Sequence, residues 1–144
     1  MNVATILASK GRAVTTARSD TALIDVTSKL AAKKIGCIVI IGDHGRIDGI
    51  MSERDVIRAI AEGGSAALQQ PVGQFMTSSV QTCHEGATLE ELMESMTQGR
   101  FRHLPVVDDA GALVGIISIG DVVKHHIAEV EMEVSAMRGY LATG

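Results

Sequence analysis

Gly49-Ile50-Met51-Ser52-Glu53-Arg54-Asp55-Val56 returns 66 positions later as Gly115-Ile116-Ile117-Ser118-Ile119-Gly120-Asp121-Val122. Working outward, the same register holds without a gap. Val14 falls on Val80, Thr16 on Thr82, Leu23 on Leu89, Asp43 on Asp109 and Gly45 on Gly111. A repeat of this kind fixes the architecture before any single motif is weighed. Whatever Ser52 and Asp55 do, Ser118 and Asp121 are placed to do at a symmetry-related position.

Within each copy the hydrophobic period changes in the same order. Val14-Thr15-Thr16 reads as a short extended piece. Asp20 can then cap a helix carrying Leu23, Val26, Leu30 and Ile35 on its apolar face, with Gly36 ending it. Ile38 to Ile41 is β-branched and reads as a buried strand. Asp43-His44-Gly45-Arg46 is a turn, and Ile47 to Met51 returns as the second arm of a hairpin. Ser52 opens another helix, running to about Glu62.

The second copy repeats this: Val80-Gln81-Thr82 extended, Thr88 to Gln98 helical, and Leu104 to Val107 and Leu113 to Ile117 as strands about Asp108-Asp109-Ala110-Gly111. The expected class is α+β, with two tandem β-α-β-β-α repeats related by a pseudo-twofold axis and their sheets packed together. The expected units are repeat 1 at 1–64, a linker at 65–71, repeat 2 at 72–128 and a helical extension at 129–144. A unit of about 60 residues buries little surface by itself, so the halves are expected to share a core.

The chain has 144 residues, a net charge of −4 and very few aromatic side chains. That composition disfavours nucleic acid as a partner, since nucleic acid calls for cationic surface and stacking platforms. The apolar run Cys37 to Ile41 is too short to span a bilayer, and the N-terminus does not read as a secretion signal. Cys37 and Cys83 have neither metal-ligand spacing nor matching repeat positions. Neither a disulfide nor a zinc site is expected, and a reducing cytoplasmic location is. His125-His126 lack a matched ligand set, and His44 sits in a turn, so no metal is expected either.

Ile127, Val130, Val134, Met137 and Leu141 recur at three and four on the last helix. Nothing in their own repeat is left to cover them, which points to a partner contact and a homodimer.

Two readings of the doubled stretch stand side by side. Ser followed three residues later by an acid is a helix capping box. Alternatively, the Gly admits another group close to the backbone, and the short Asp accepts hydrogen bonds from a vicinal diol such as ribose. Arg100-Phe101-Arg102-His103 supplies donors suited to phosphate in the second copy. The serines have no His–Asp relay at hand, and nothing supplies the scaffold for Asp55 and Asp121 to act as acid and base, so no enzyme is expected.

At Gly49 to Asp55, Gly115 to Asp121 and Arg102-His103-Leu104-Pro105-Val106-Val107-Asp108, the chain resembles a CBS-domain pair, or Bateman module. The resemblance runs from about residue 5 to 128 and is strongest to small stand-alone bacterial two-repeat proteins. It implies a regulatory module with adenosine-containing ligands (AMP, ADP, ATP, NAD(H) or S-adenosylmethionine) in clefts between the repeats, and no required cofactor. It implies Asp55 and Asp121 at ribose, with Ser52 and Ser118 beside them. Arg102, His103 and Arg54 would take phosphate. Ala13, Val14, Thr15, Ser79, Val80, Gln81, Ile38 and Pro105 would frame adenine. Flat homodimers and an unidentified client protein are also implied. The copies are not equivalent: Arg102 and His103 fall on Gly36 and Cys37, and Arg54 falls on Gly120. The clefts should therefore differ. The rival expectation is an adaptor of the same fold with vestigial sites.

Overall fold

The computed structural model describes residues 1–143. The elements run α1 (Val3–Lys10), β1 (Thr16–Ala17), α2 (Leu23–Lys33), β2 (Cys37–Ile41), β3 (Ile47–Ser52), α3 (Glu53–Gly63), α4 (Leu89–Gly99), β4 (His103–Val107), β5 (Leu113–Ser118) and α5 (Ile119–Thr143). Strand β1 lies parallel to β2, and β2 and β3 form an antiparallel hairpin; β4 and β5 form the second hairpin. The hairpins share one register. Cys37 faces Ser52 as His103 faces Ser118, Ile40 faces Gly49 as Val106 faces Gly115, and each carries an irregularity one residue further on. The repeat is therefore obeyed down to single backbone pairs.

Local details depart from expectation for traceable reasons. Helix α2 is capped by Ala22 without a side-chain bond, and Asp20 is exposed before it. No side-chain acceptor is needed for the Leu23 N–H, which donates to Gln70 O at 2.9 Å. The helix ends at Lys33, with Lys34 rather than Gly36 in the left-handed conformation, as Arg100 is at the end of α4. Gly36 serves contact instead. A Cβ there would lie 3.0 Å from Glu53 Oε1 and 3.3 Å from His103 Cε1. The first extended piece is displaced, to Thr16–Ala17. Its counterpart shrinks to one parallel bridge, Cys83 to Val106, in place of a strand at Val80-Gln81-Thr82.

The halves do not share one core. Among the described residues there are two clusters, and each is completed by chain from beyond its own repeat. The second contains Leu89, Leu92, Leu104 and Ile117, but also Val3, Ile6 and Leu7 of α1. Asn2 caps α1, accepting from Thr5 N at 3.0 Å. Val3 N and Ala4 N donate to Ala87 O and Glu85 O, tying α1 to the turn before α4. The first cluster contains Leu23, Val26, Ile38 and Met51, joined by Ala67 and Val72 of the connecting segment. That segment is two short 3₁₀ turns, Gly64–Gln69 and Val72–Gln74. Thr77 then pairs with Ile50 through two 2.9 Å backbone bonds. The division at residue 64 is one of sequence; in space α1 lies with the second hairpin.

Helix α5 is continuous over its 25 residues, and only Val122 of it is buried. Ile127, Val130, Val134, Met137 and Leu141 are all exposed. No described helix is long and apolar enough to cross a membrane.

Candidate functional site

Both copies of the doubled stretch form complete capping boxes. Ser52 Oγ accepts from Asp55 N at 3.3 Å, and Ser52 N donates to Asp55 Oδ2 at 2.9 Å. The corresponding distances for Ser118 and Asp121 are 3.1 and 2.8 Å. The short aspartate closes the reciprocal bond in both. The capping reading thus describes the geometry at rest, and any ligand must be held by acceptors already in use.

The paired glycines make room for the chain itself. A Cβ on Gly49 would lie 2.6 Å from Met76 Sδ and 2.9 Å from the Thr77 carbonyl oxygen. One on Gly115 would lie 2.8 Å from Leu7 Cδ2. The group that approaches each backbone is therefore the segment preceding the other repeat. Gly49→Ala should cost about 1–3 kcal/mol, the usual range for overpacking. It should cost more than Gly115→Ala, because Thr77 O is fixed in a backbone pair whereas Leu7 presents only side-chain atoms. Urea unfolding of the two variants checks the order, and equal losses would refute this account.

A cavity of about 920 Å³ opens between the repeats. From the first repeat it takes Ser52, Glu53, Arg54, Asp55 and Arg58. From the second it takes Arg100, Phe101, Arg102 and His103, with Thr77, Ser79, Val80 and Gln81 between them. Asp55 is 5% exposed. Its Oδ2 accepts from Ser52 N and from Ser52 Oγ at 3.0 Å, and its Oδ1 from Arg58 and from Thr77 Oγ1 at 3.4 Å. Four arginines thus face two carboxylates in one space, in a chain whose net charge is −4. A cavity of this size lies within the range of small-molecule sites.

The expected residues divide sharply. Ser52, Asp55, Arg54, Arg102, His103, Ser79, Val80 and Gln81 line this cavity together. Asp121, Ser118, Ala13, Thr15, Ile38 and Pro105 do not line it. Ile38 is wholly buried in the first core, where β2 presses it against α2, and Pro105 is buried in β4. Val14 lines a separate hollow of about 260 Å³ with Arg12, Thr16 and Leu113. Asp121 is engaged elsewhere: Lys10 Nζ donates to its Oδ2 at 2.5 Å.

Burial lowers the proton affinity of His103. Lys10 and Arg102 push the same way, Asp121 and Glu53 oppose, and the imidazole ends below its ordinary value. Burial pushes the Asp121 carboxyl up, but Lys10 and Ser118 outweigh it and hold it below the usual range. Burial raises Cys37 to about 12 and Cys83 to about 11, so both thiols stay protonated and unreactive. Both are free.

The sequence pointed to Arg100 as a phosphate donor, and it lines the cavity, but gave no role to Arg58, Thr77 or Lys10. Arg58 had a local signal, lying three residues after Asp55 on the same helix. Lys10 had none, because its partner is 111 residues away.

The CBS domain family matches at residues 10–62 and 72–127. Among solved structures, the CBS-domain protein ATU1752 of Agrobacterium tumefaciens is 45% identical with a TM-score of 0.83, covering 88% of this chain and 99% of that one. The CBS domain protein PAE2072 of Pyrobaculum aerophilum, solved in complex with AMP, is 26% identical, with a TM-score of 0.75 and coverages of 84% and 89%. The domain pair of protein MJ0100, solved with 5′-methylthioadenosine and S-adenosyl-L-methionine, is 25% identical, with a TM-score of 0.79 and coverages of 90% and 98%. Curated relatives are longer: the chain spans 63%, 60% and 58% of the length of three of them. The chain belongs to the CBS domain family and is a CBS-domain pair.

Proposed function

We propose that this CBS-domain pair is a regulatory module, not an enzyme, and that it binds an adenosine-containing ligand in the cavity between its repeats. The observation that carries this is the convergence of Ser52 and Asp55 from one repeat with Arg102 and His103 from the other on a single space. Asp55 supplies fixed acceptors for the ribose hydroxyls. Arg58, on the same helix, turns from Asp55 toward the ligand as they arrive. Ser79, Val80 and Gln81 flank the base, and Arg102, Arg100, Arg54 and His103 receive phosphate. The excess of arginine over carboxylate favours AMP, ADP, ATP or NAD(H) over the sulfonium cation of S-adenosylmethionine. AMP in PAE2072 and the two adenosine compounds in MJ0100 support the class of ligand. Binding would alter how the repeats sit on each other, and α5 would carry that to a client protein.

The test is thermal unfolding with AMP, ADP, ATP, NAD(H), S-adenosylmethionine and GTP. Ligand at a hundred times its dissociation constant adds about 2.7 kcal/mol, a rise of about 5–11 °C for a chain of this size. The same family fold with vestigial sites is the second reading, favoured by the fact that Asp55 is satisfied by its own chain. No rise with any adenosine compound at millimolar concentration would leave that reading standing.

The module acts as a homodimer. Ile57 on α3 and Val123 on α5 occupy equivalent positions and are 68% and 50% exposed. The stripe from Ile127 to Leu141 continues that apolar surface along α5. Truncation after His126 should lower the mass measured by sedimentation or cause aggregation. A full-length monomer at high micromolar concentration would refute the dimer.

A further inference from the structure

We infer that Lys10 occupies the acidic position of the second cleft, so that one chain takes one nucleotide, in the Asp55 cavity. This rests on the proposed reading of the Asp55 cavity as an adenosine site and extends it to the number of sites and the residue that sets it.

Lys10 is the last residue of α1. Its helix is anchored by Val3, Ile6 and Leu7, which are buried in the second core, and Leu7 fills the space above Gly115. This anchoring delivers the ammonium to Asp121 Oδ2 at 2.5 Å, beside the Ser118 N–H that bonds the same oxygen. In the first cleft the position equivalent to Lys10 is Met76, which carries no charge. There the cation on the aspartate is Arg58, which belongs to the cavity wall and can pass to a phosphate. Around Asp121 the counterparts of Arg102, His103 and Arg54 are Gly36, Cys37 and Gly120, while those of Arg58 and Arg100 are Lys124 and Lys34, and it is Lys10 rather than Lys124 that holds the aspartate. A ribose arriving there must displace an ammonium and gains no arginine fork for its phosphate. The two aspartate positions are alike in backbone and differ in their cations: four arginines share the cavity with Asp55, whereas two of their four counterparts are lysines and Asp121 is held by Lys10.

The test counts sites. Equilibrium dialysis and calorimetry with adenosine and with AMP are run on the wild type, Lys10→Met, Asp121→Asn and Lys10→Met combined with Asp55→Asn. Lys10 is partly exposed, and methionine keeps its length, so the variant should fold; circular dichroism and the melting curve verify this. The wild type should bind one adenosine per chain. Lys10→Met should bind two, the second at least tenfold weaker, and adding Asp55→Asn should leave only that second site. Asp121→Asn should leave the wild-type count at one. Two sites in the wild type, one of them lost in Asp121→Asn, would overturn the inference. So would a single site in Lys10→Met when the wild type also binds one. Absence of binding to every variant would instead overturn the adenosine reading itself, and the inference with it.

Discussion

Leu7→Ala is expected to destabilise the protein by about 2–5 kcal/mol, the range for truncating a fully buried leucine. Leu7 is 1% exposed, and Val3 and Ile6 beside it are 0% exposed. Together they form one wall of a core whose other walls come from α4, β4 and β5. Because Leu7 also covers Gly115, its loss opens space directly against the β5 backbone. The loss should fall on the second repeat. Hydrogen exchange should rise first in α4, β4 and β5, with the first hairpin protected for longer. Ile127→Ala offers the contrast. Ile127 is 51% exposed in the single chain, so its removal should change monomer stability little and association more. Denaturation of both variants, with sedimentation of the second, makes the comparison. A loss below about 1 kcal/mol for Leu7→Ala would mean that α1 is not part of the second core.

The difficulty with α1 shows where sequence reading stopped. The two hairpins were legible because their signals are local: a β-branched run from Ile38 to Ile41, a glycine turn, and a return strand. Repetition then doubled the weight of each signal. Asn2 followed by Val3, Ile6 and Leu7 is a capped apolar stripe too, but it is short, and its repeat counterpart is a 3₁₀ turn, Val72–Gln74. The repeat therefore gave no help there. For the same reason a shared core was expected where the chain instead exchanges segments between two cores. Part of the cavity lining was legible residue by residue, as Ser52, Arg54, Asp55, Arg102 and His103, but the pairing of segments was not. Arginine, histidine, serine and aspartate at those places declared their chemistry. That Asp55 would face Arg102 and His103 while Asp121 met Lys10 depends on contacts between distant segments. Ile38 and Pro105 were placed in the adenine wall by the family resemblance alone, and both lie buried in their strands.

Asp55→Asn should weaken adenosine and AMP binding by about 10- to 150-fold, the equivalent of about 1.5–3 kcal/mol for hydrogen bonds to a charged acceptor. The substitution separates the two duties of this side chain. Asn retains one carbonyl oxygen, which can go on accepting from Ser52 N and keep the start of α3 in place. Its amide group then faces the Arg58 guanidinium and the Thr77 hydroxyl, where a carboxylate oxygen accepted from both. A donor set against the guanidinium turns Arg58 outward, and the ribose loses the anionic oxygen it would have bonded. Stability should fall by about 1 kcal/mol, the scale of one hydrogen bond. Arg102→Ala provides the second arm. It should reduce affinity for AMP far more than for adenosine, because Arg102 can serve only a ligand that carries phosphate, and added salt should mimic part of that loss. Calorimetry with both ligands on both variants separates a ribose contact from a phosphate contact. If Asp55→Asn lowers the melting temperature and leaves both affinities unchanged, Asp55 is a helix cap alone, and the cavity between the repeats does not bind ribose through it.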